Sequence, residues 1–569
     1  MSKSSASTTA GPSSTGTTER ARGVTKRARG ASIPAARWIL GFPGTTLPRA
    51  LARAIGEGRV DGLMLFRDNT GGSVAGAREL RREVLSLVPN GRPFVFAADE
   101  EGGLISQTSR LVLPGGDAWP TVPTPRALGR VGRPAACRFV GKLLGRRLRA
   151  LGVTVDFAPS LDLDTEGENP VIGSRSFGAD PVRVAALGLA FAEGLALAGV
   201  APCFKHYPGH GGTRLDSHRV LPTMDPRERG RHESPFRDCL RAIRAGSAVW
   251  ARRPRPWVMG AHVDWGDGMP ASLHPTLLAR VRRWLPGTPL VTDSLEMGAV
   301  SLAAGAACQA WEAGNDVLLV ARGWEAALAG MEGIEASPTS GISVISGVSG
   351  AAGSGSRRGP RALRAARILE ELAQRTDRRA SLSLPREDDA YLARLHLASV
   401  RLSCAPAELP EGPWTWVVPE GLSPYARLRD WKPPSDKPAP GRRRFCAEVV
   451  WVPESASAAF LASIARRLAG GAGPVVVATL FRGRPGEAIR AAWRPLVEHP
   501  RVRVLAHLLD EGWPEPGGPG GTAVSFTSGP SVESLAALAQ ALDVRDEAWR
   551  HGDNGLHLVV DTGPAGLAK

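Results

Sequence analysis

Eight short apolar runs separated by longer amphipathic stretches fill the chain between residues 37 and 320, and this alternation narrows the possible folds more than any other feature. The runs are Trp38 to Phe42, Gly62 to Phe66, Phe94 to Ala98, Val153 to Ala158, Val200 to Phe204, Trp257 to Ala261, Pro289 to Thr292 and Asp316 to Val320. Runs this short and this apolar read as strands covered on both faces, as in parallel sheets, whose neighbours need helical crossovers. Eight such units predict a parallel (β/α)8 barrel of the TIM type.

The rest of the chain reads as a second, smaller unit. Residues 335–360 are rich in Ser and Gly, a loop signal, and residues 361–375 have the apolar spacing of a helix that closes the barrel domain. A linker containing Leu384-Pro385 follows, then a helix near 388–400. Strand-like runs come next at Trp414 to Pro419, Ala447 to Val452, Val475 to Thr479, Val502 to Ala506 and Ala523 to Phe526. Helical stretches at 456–469, 486–497 and 531–542 separate several of them, which predicts an α/β sandwich. The expected division is a basic tail over 1–30, the barrel over 31–378, and linker plus sandwich over 379–569. The Pro- and Gly-rich loops at 431–443 and 514–521 carry no catalytic constellation.

Composition removes several function classes. The 569 residues carry 71 Lys and Arg against 55 Asp and Glu, a net charge of +16. The excess is mostly arginine scattered through helices, in keeping with a GC-rich coding bias, and no basic stripe interleaved with aromatics accompanies it, so no nucleic-acid partner is expected. The six cysteines (137, 203, 239, 308, 404, 446) form no CxxC pair and read as reduced residues of a cytoplasmic protein. Residues 1–30 are a Ser-, Thr- and Arg-rich stretch with no apolar core of a signal peptide, and no run of about twenty apolar residues predicts a membrane span. Oligomeric state is left open.

The polar motifs fall where a barrel builds its chemistry. Asp99 follows the third run, Pro159 through Arg175 the fourth, Lys205 to His218 the fifth and His262 the sixth, while Asp293 ends the seventh. All lie at the carboxyl ends of expected strands, the catalytic face of such barrels. The loop Lys205-His206-Tyr-Pro-Gly-His210-Gly-Gly-Thr-Arg-Leu-Asp216-Ser-His218 packs three histidines, a lysine and an aspartate between Gly and Pro residues. Asp216, two residues before His218, can orient an imidazole and raise its basicity, which is the pattern of an acid/base dyad. Pinning of a mobile loop is the alternative role for this pair. For Asp293, in Val-Thr-Asp-Ser-Leu-Glu-Met, the alternatives are chemistry or capping of the following helix. His206, His210, Asp216 and His218 match no compact zinc-ligand spacing, and the Gly102-Gly103 pair lacks the pattern of a phosphate loop, so neither metal nor organic cofactor is expected.

Five segments in order resemble the β-N-acetylglucosaminidase branch of glycoside hydrolase family 3. They are Asp99-Glu-Glu-Gly-Gly103; Asp156-Phe-Ala-Pro159 with Asn169-Pro-Val-Ile-Gly-Ser-Arg175-Ser-Phe-Gly178; the loop from Lys205 to His218 with Leu221-Pro222; His262-Val263 with Pro270-Ala-Ser-Leu273; and Thr292-Asp-Ser-Leu-Glu-Met297. The resemblance implies Asp293 as a nucleophile forming a covalent glycosyl-enzyme, with His218, oriented by Asp216, as acid/base. It implies Asp99, Arg175, Lys205 and His206 as residues holding the sugar. His210 is expected to shape its turn, and His262 either lines the pocket or is structural. The implied activity is release of terminal β-linked N-acetylglucosamine from muropeptide-type glycoconjugates, a small carbohydrate substrate, in cell-wall recycling. A family 3 β-glucosidase, a glycoside phosphorylase and a non-catalytic sugar-binding relative are the alternatives.

Two positions depart from the family pattern. The arginine common eight residues after the first Asp is Gln107, with Arg110 three residues further on. Either Arg110 substitutes for it or one sugar contact is weakened. The residue after Gly211, often Asp, is Gly212.

Overall fold

The computed structural model describes residues 37–331, with breaks at 247–248 and 302–304, and a discontinuous series of segments between 386 and 558. Eight parallel strands close into a barrel in chain order: β1 (Arg37–Gly41), β2 (Gly62–Met64), β3 (Val95–Ala98), β4 (Val155–Asp156), β5 (Ala201–Tyr207), β6 (Trp257–Gly260), β7 (Leu290–Thr292) and β8 (Val317–Val320). β8 pairs back onto β1, with Trp38 opposite Leu318 and Leu40 opposite Val320. Each expected apolar run becomes one strand. β5 alone runs well past its apolar run, carrying Lys205, His206 and Tyr207 within the barrel wall.

The strands are apolar on both faces because two cores use them. Every strand sends residues into one inner cluster, among them Ile39, Met64, Val95, Phe157, Trp257, Met259 and Leu319. The alternate residues, such as Leu40, Phe96, Phe204, Val258 and Leu318, join a larger cluster with the surrounding helices. Residues two apart share a face of a strand. The inward rows Val95–Ala97, Ala201–Cys203 and Val291 therefore continue upward to Asp99, Lys205 and Asp293, which places three charged groups around one mouth.

Local chemistry fixes several of the helix starts. Ser73 Oγ accepts the Gly76 N–H at 3.0 Å at the head of helix Val74–Leu87. Asp180 Oδ1 accepts the Val182 N–H at 3.0 Å, with Pro181 at the first helical position of Pro181–Leu197. Among the described residues, Cys137, Cys203 and Cys239 are buried, Cys308 is partly so, and none is in a disulfide. No helix among them is long and apolar enough to cross a membrane.

The second unit is an eight-stranded sheet in the order Arg444–Val452, Gly412–Pro419, Val475–Thr479, Val502–His507, Ala523–Phe526, Arg401–Leu402, Gly555–Leu558 and Trp549–Gly552. The first five strands, those legible in the sequence, are parallel; the last three add antiparallel pairs. Helices Ala458–Ala469 and Glu487–Val497 cover one face through Leu461, Ile464, Leu468 and Leu496. The helix expected near 388–400 is Arg386–Ala398. It packs on the barrel's outer core, the Tyr391 ring lying 4.4 Å from that of Phe139, and it also contacts helix Val532–Leu542. The helix expected at 361–375, the tail over 1–30, and the loops at 335–360, 431–443 and 514–521 lie outside the described residues.

Trp257 fills the inner barrel core at 1% exposure. Trp257→Ala is expected to cost about 3–5 kcal/mol, seen as a lower denaturant midpoint with an unchanged slope.

Candidate active site

The mouth of the barrel is organised around Lys205, whose ammonium group is buried. Its Nζ donates to Asp99 Oδ1 and lies against Glu101 Oε1, both at 2.6 Å. Arg175, in the loop after β4, adds a bidentate pair to Glu101, Nε to Oε2 at 2.9 Å and Nη2 to Oε1 at 2.7 Å. Two cations and two carboxylates thus neutralise one another where water is largely excluded. Burial alone would push Glu101 up, but Arg175 and Lys205 outweigh it and hold its carboxyl down at about 2. Burial works against the Lys205 charge, yet Asp99 and Glu101 hold its affinity for the proton above the usual lysine range. Asp99 is the most open member, its side chain a quarter exposed, and so the carboxylate best able to meet a ligand.

A second knot ties β5 to the loop after β4. Asp162 Oδ2 accepts from His206 Nδ1 at 2.6 Å and from the His206 backbone N–H at 3.1 Å, while Oδ1 accepts the His210 N–H at 2.7 Å. Burial would raise the Asp162 carboxyl, but His206 and His210 hold it well below the carboxylate range. His206 Nε2 faces Arg175 Nη2 at 3.3 Å, which joins the two knots. Pairing with β6 shifts register between Phe204 and Tyr207, and the Lys205–His206 peptide is cis. Consecutive residues that a regular strand would send to opposite faces both reach the mouth. Asp162 and Glu101 are the groups that sequence reasoning left without a role. Glu101 stood inside a quoted motif, whereas Asp162 carried no local signal.

Asp293 ends the inward row of β7 and is half-buried. Its Oδ1 accepts the Ser294 N–H at 2.8 Å. Burial raises the carboxyl, but the His206 side chain and the Ser294 N–H outweigh it, holding Asp293 below the usual carboxylate range. It is an ionised carboxylate at neutral pH. It does not cap the helix Gly298–Ser301: the N–H groups of Gly298 and Ala299 donate instead to the carbonyls of His218, at 2.9 Å, and Ser217, at 3.2 Å. His262 is fully engaged beneath this loop. Its Nε2 donates to Ser294 O at 3.0 Å, so Nδ1 accepts the Ser272 hydroxyl at 2.7 Å, and burial pushes it below the ordinary imidazole value.

His218 lies on the loop after β5 with its side chain 58% exposed. Asp216 Oδ1 accepts both its Nδ1, at 2.7 Å, and its backbone N–H, at 2.9 Å. That fork fixes the ring and turns Nε2 away from Asp216. Burial would raise Asp216, but these bonds hold it below the usual range. His210 is buried within the same loop, Nε2 against Ser217 Oγ at 2.8 Å and Nδ1 against Thr213 Oγ1 at 3.0 Å, with burial pushing it down to about 4. It shapes the turn as a neutral ring.

Both departures from the family pattern have a physical basis. Gln107 is committed to the backbone: Nε2 donates to Asp99 O at 3.0 Å and Oε1 accepts the Arg67 N–H at 2.8 Å, bracing Asp99 without supplying a charge. Arg110 follows in a left-handed turn (φ 61°). At Gly212 a Cβ would stand 2.7 Å from Nε2 of His232. The buried His232 ring, bonded to Thr165 Oγ1 at 3.0 Å, fills the space that a larger residue would need.

Comparison with known proteins agrees with this geometry. Residues 40–338 match the model of the glycosyl hydrolase family 3 N terminal domain. The chain belongs to glycosyl hydrolase family 3. It is 34% identical over 279 residues to a β-hexosaminidase of Bordetella avium, covering 46% of this chain and 73% of that protein. It is 30% identical over 294 residues to β-hexosaminidase A of Pseudoalteromonas piscicida, 48% of each. The match to β-hexosaminidase LpqI of Mycobacterium tuberculosis is 42% over 134 residues, 24% of this chain and 33% of the relative. The chain therefore spans half or less of the length of the latter two relatives. Among solved structures, a glycoside hydrolase family 3 β-N-acetylglucosaminidase from Paenibacillus sp. str. FPU-7 superposes with a TM-score of 0.69 at 27% identity, covering 89% of this chain and 95% of that one. The likeness thus includes the second sheet as well as the barrel.

The Gly212–His232 contact yields a test by double-mutant cycle. Gly212→Asp alone is expected to destabilise the fold by about 1–3 kcal/mol through overpacking. Combined with His232→Ala it should cost less than the sum of the two single changes. Additive losses in denaturant titrations would mean that the two residues do not compete for space.

Proposed function

We propose that this chain is a retaining β-N-acetylglucosaminidase that removes terminal β-linked N-acetylglucosamine from glycoconjugates of muropeptide type. The observation that carries the reading is the pairing of an ionised, half-buried carboxylate, Asp293, with an exposed imidazole, His218, fixed by Asp216 on a loop whose backbone is tied to the segment just after Asp293 by the Gly298 N–H to His218 carbonyl bond at 2.9 Å. The printed descriptions of the relatives as β-hexosaminidases, and of the Paenibacillus enzyme as a β-N-acetylglucosaminidase, support the substrate class.

In the first half-reaction an Asp293 oxygen attacks the anomeric carbon while His218 Nε2–H gives its proton to the departing glycosidic oxygen. The products are the free aglycone and a covalent glycosyl-enzyme ester. In the second, His218 takes a proton from water, the oxygen attacks the same carbon, and the Asp293 carboxylate is released, with net retention. Asp99, Lys205, Arg175 and His206 hold the non-reducing sugar. Asp99 accepts from hydroxyls and is already held in place by Lys205, so binding requires little reorganisation. Gln107 preserves the position of Asp99 but adds no cation. The four cysteines free among the described residues fit a reducing compartment, and we place the enzyme in a cytoplasmic recycling role.

One observation favours a second reading. An imidazole in place of the usual second carboxylate removes a negative charge from the path of the acceptor, which suits phosphate as well as water. Release of N-acetylglucosamine 1-phosphate only when phosphate is supplied would make the protein a phosphorylase. Saturable N-acetylglucosamine binding without turnover in either condition would make it a binding protein.

Leaving-group dependence tests the assignments. Asp293→Ala should abolish turnover of every β-N-acetylglucosaminide. His218→Ala should lose about 10²–10⁴-fold in kcat/KM on poor leaving groups and far less on an activated aryl group; equal losses on both would remove His218 from its role. The pH dependence follows from the depressed Asp293. A carboxyl held below its ordinary value keeps its charge as pH falls, so kcat/KM on the activated substrate should hold down to about pH 4. It should decline only below that point. A decline starting near pH 6 would show a raised, not lowered, Asp293.

A further inference from the structure

The group that must be placed most accurately, His218, sits on the most exposed part of the site: Arg214, on the same loop, has a side chain 71% exposed, and residues 218–220 are at the surface. Misplacement of a reacting group by about 1 Å can cost about 10²-fold in rate. The Asp216 fork sets the ring relative to its own loop, but it cannot set the loop relative to Asp293. Something else must do so.

Two contacts perform that task. On one side, the Gly298 and Ala299 N–H groups, just beyond the Asp293 turn, donate to the carbonyls of His218 and Ser217 at 2.9 and 3.2 Å. On the other, the Ser217 hydroxyl meets His210 Nε2 at 2.8 Å, and the backbone of His210 is itself anchored on Asp162. Gly298 is demanded by closeness alone. Its φ lies outside the left-handed region, so any residue could adopt its conformation, yet a Cβ there would stand 2.5 Å from Arg219 O and 2.8 Å from His218 O. Both neighbours are backbone atoms, which cannot swing aside as a side-chain tip can. Even one methyl group must lift the loop.

We propose that Gly298 and Ser217 are positioning residues that clasp the His218 loop to the segment following Asp293, setting the distance between acid/base and nucleophile through a short run of backbone. Neither touches substrate. The inference rests on the assignment of His218 made above. It predicts a specific kinetic signature, because displacing His218 impairs proton transfer while Asp293 and the sugar-holding cluster stay in place.

The experiment compares full-length Gly298→Ala, Ser217→Ala and His218→Ala with the wild type, on an activated aryl and an unactivated alkyl β-N-acetylglucosaminide. Gly298→Ala is expected to lose on the order of 10²-fold in kcat/KM on the alkyl substrate and to keep most of it on the aryl one, whose leaving group needs no proton. On the aryl substrate kcat and KM should fall together, because the glycosyl-enzyme waits for a base. Azide, which attacks that ester without one and yields a glycosyl azide, should restore kcat. Ser217→Ala should change in the same direction by a smaller factor, and it decides the matter by itself if Gly298→Ala does not fold. Leaving-group dependence in His218→Ala that is absent from both clasp variants overturns the clasp alone. Its absence from His218→Ala overturns the assignment on which the clasp rests.

Discussion

The architecture of the site depends on the cost of burying the Lys205 ammonium at the end of a barrel strand. An unpaired cation there would be prohibitive, and removing one partner of such a pair typically costs about 3–5 kcal/mol. Asp99 from the β3 loop and Glu101 beside it meet that requirement, and Glu101 in turn draws in Arg175 from the loop after β4. One buried charge on β5 thereby fixes the loops that follow β3 and β4. The surplus hydrogen-bonding capacity of the cluster, on the partly exposed Asp99, is what remains for a hydroxylated ligand.

The two groups proposed to react are held by different physics. Asp293 is a continuation of the inward row of β7, so its position follows from barrel packing, and its charge is favoured by the neighbouring His206 and one backbone N–H. His218 belongs to a long loop and owes its position to hydrogen bonds, local ones from Asp216 and remote ones from backbone N–H groups. A carboxylate acid/base at the end of another strand would need no such fastening. An imidazole on a loop does, and this explains why the chain devotes the buried His210, Thr213 and Ser217 to the interior of that loop.

The departures from the family pattern concern the surroundings of Asp99 and the turn of the His218 loop, not the two groups proposed to react. Gln107 replaces a charge with two backbone hydrogen bonds, keeping Asp99 in place. Gly212 gives up a side chain because His232 occupies its space.

Contiguous pattern made the barrel legible in the sequence. Apolar runs with helical spacing between them specify strands and crossovers, and the period of two along a strand carries Asp99, Lys205 and Asp293 to the same mouth. The Asp216–His218 dyad is equally local, being two residues apart. The short antiparallel strands at Arg401–Leu402, Trp549–Gly552 and Gly555–Leu558 were not legible, since each is too brief to show a period. Partnerships across the chain were not legible either: Lys205 finds Asp99 across 106 residues and His206 finds Asp162 across 44. The need for glycine at 298, where the chain adopts a conformation open to any residue, exists only because the His218 loop folds back onto it. Sequence by itself determined which elements form and which residues stand at their ends, because those follow from periodicity and local bonding. Tertiary structure alone decided which charges neutralise one another and which backbone atoms touch, because those depend on distances that exist only once the barrel has closed.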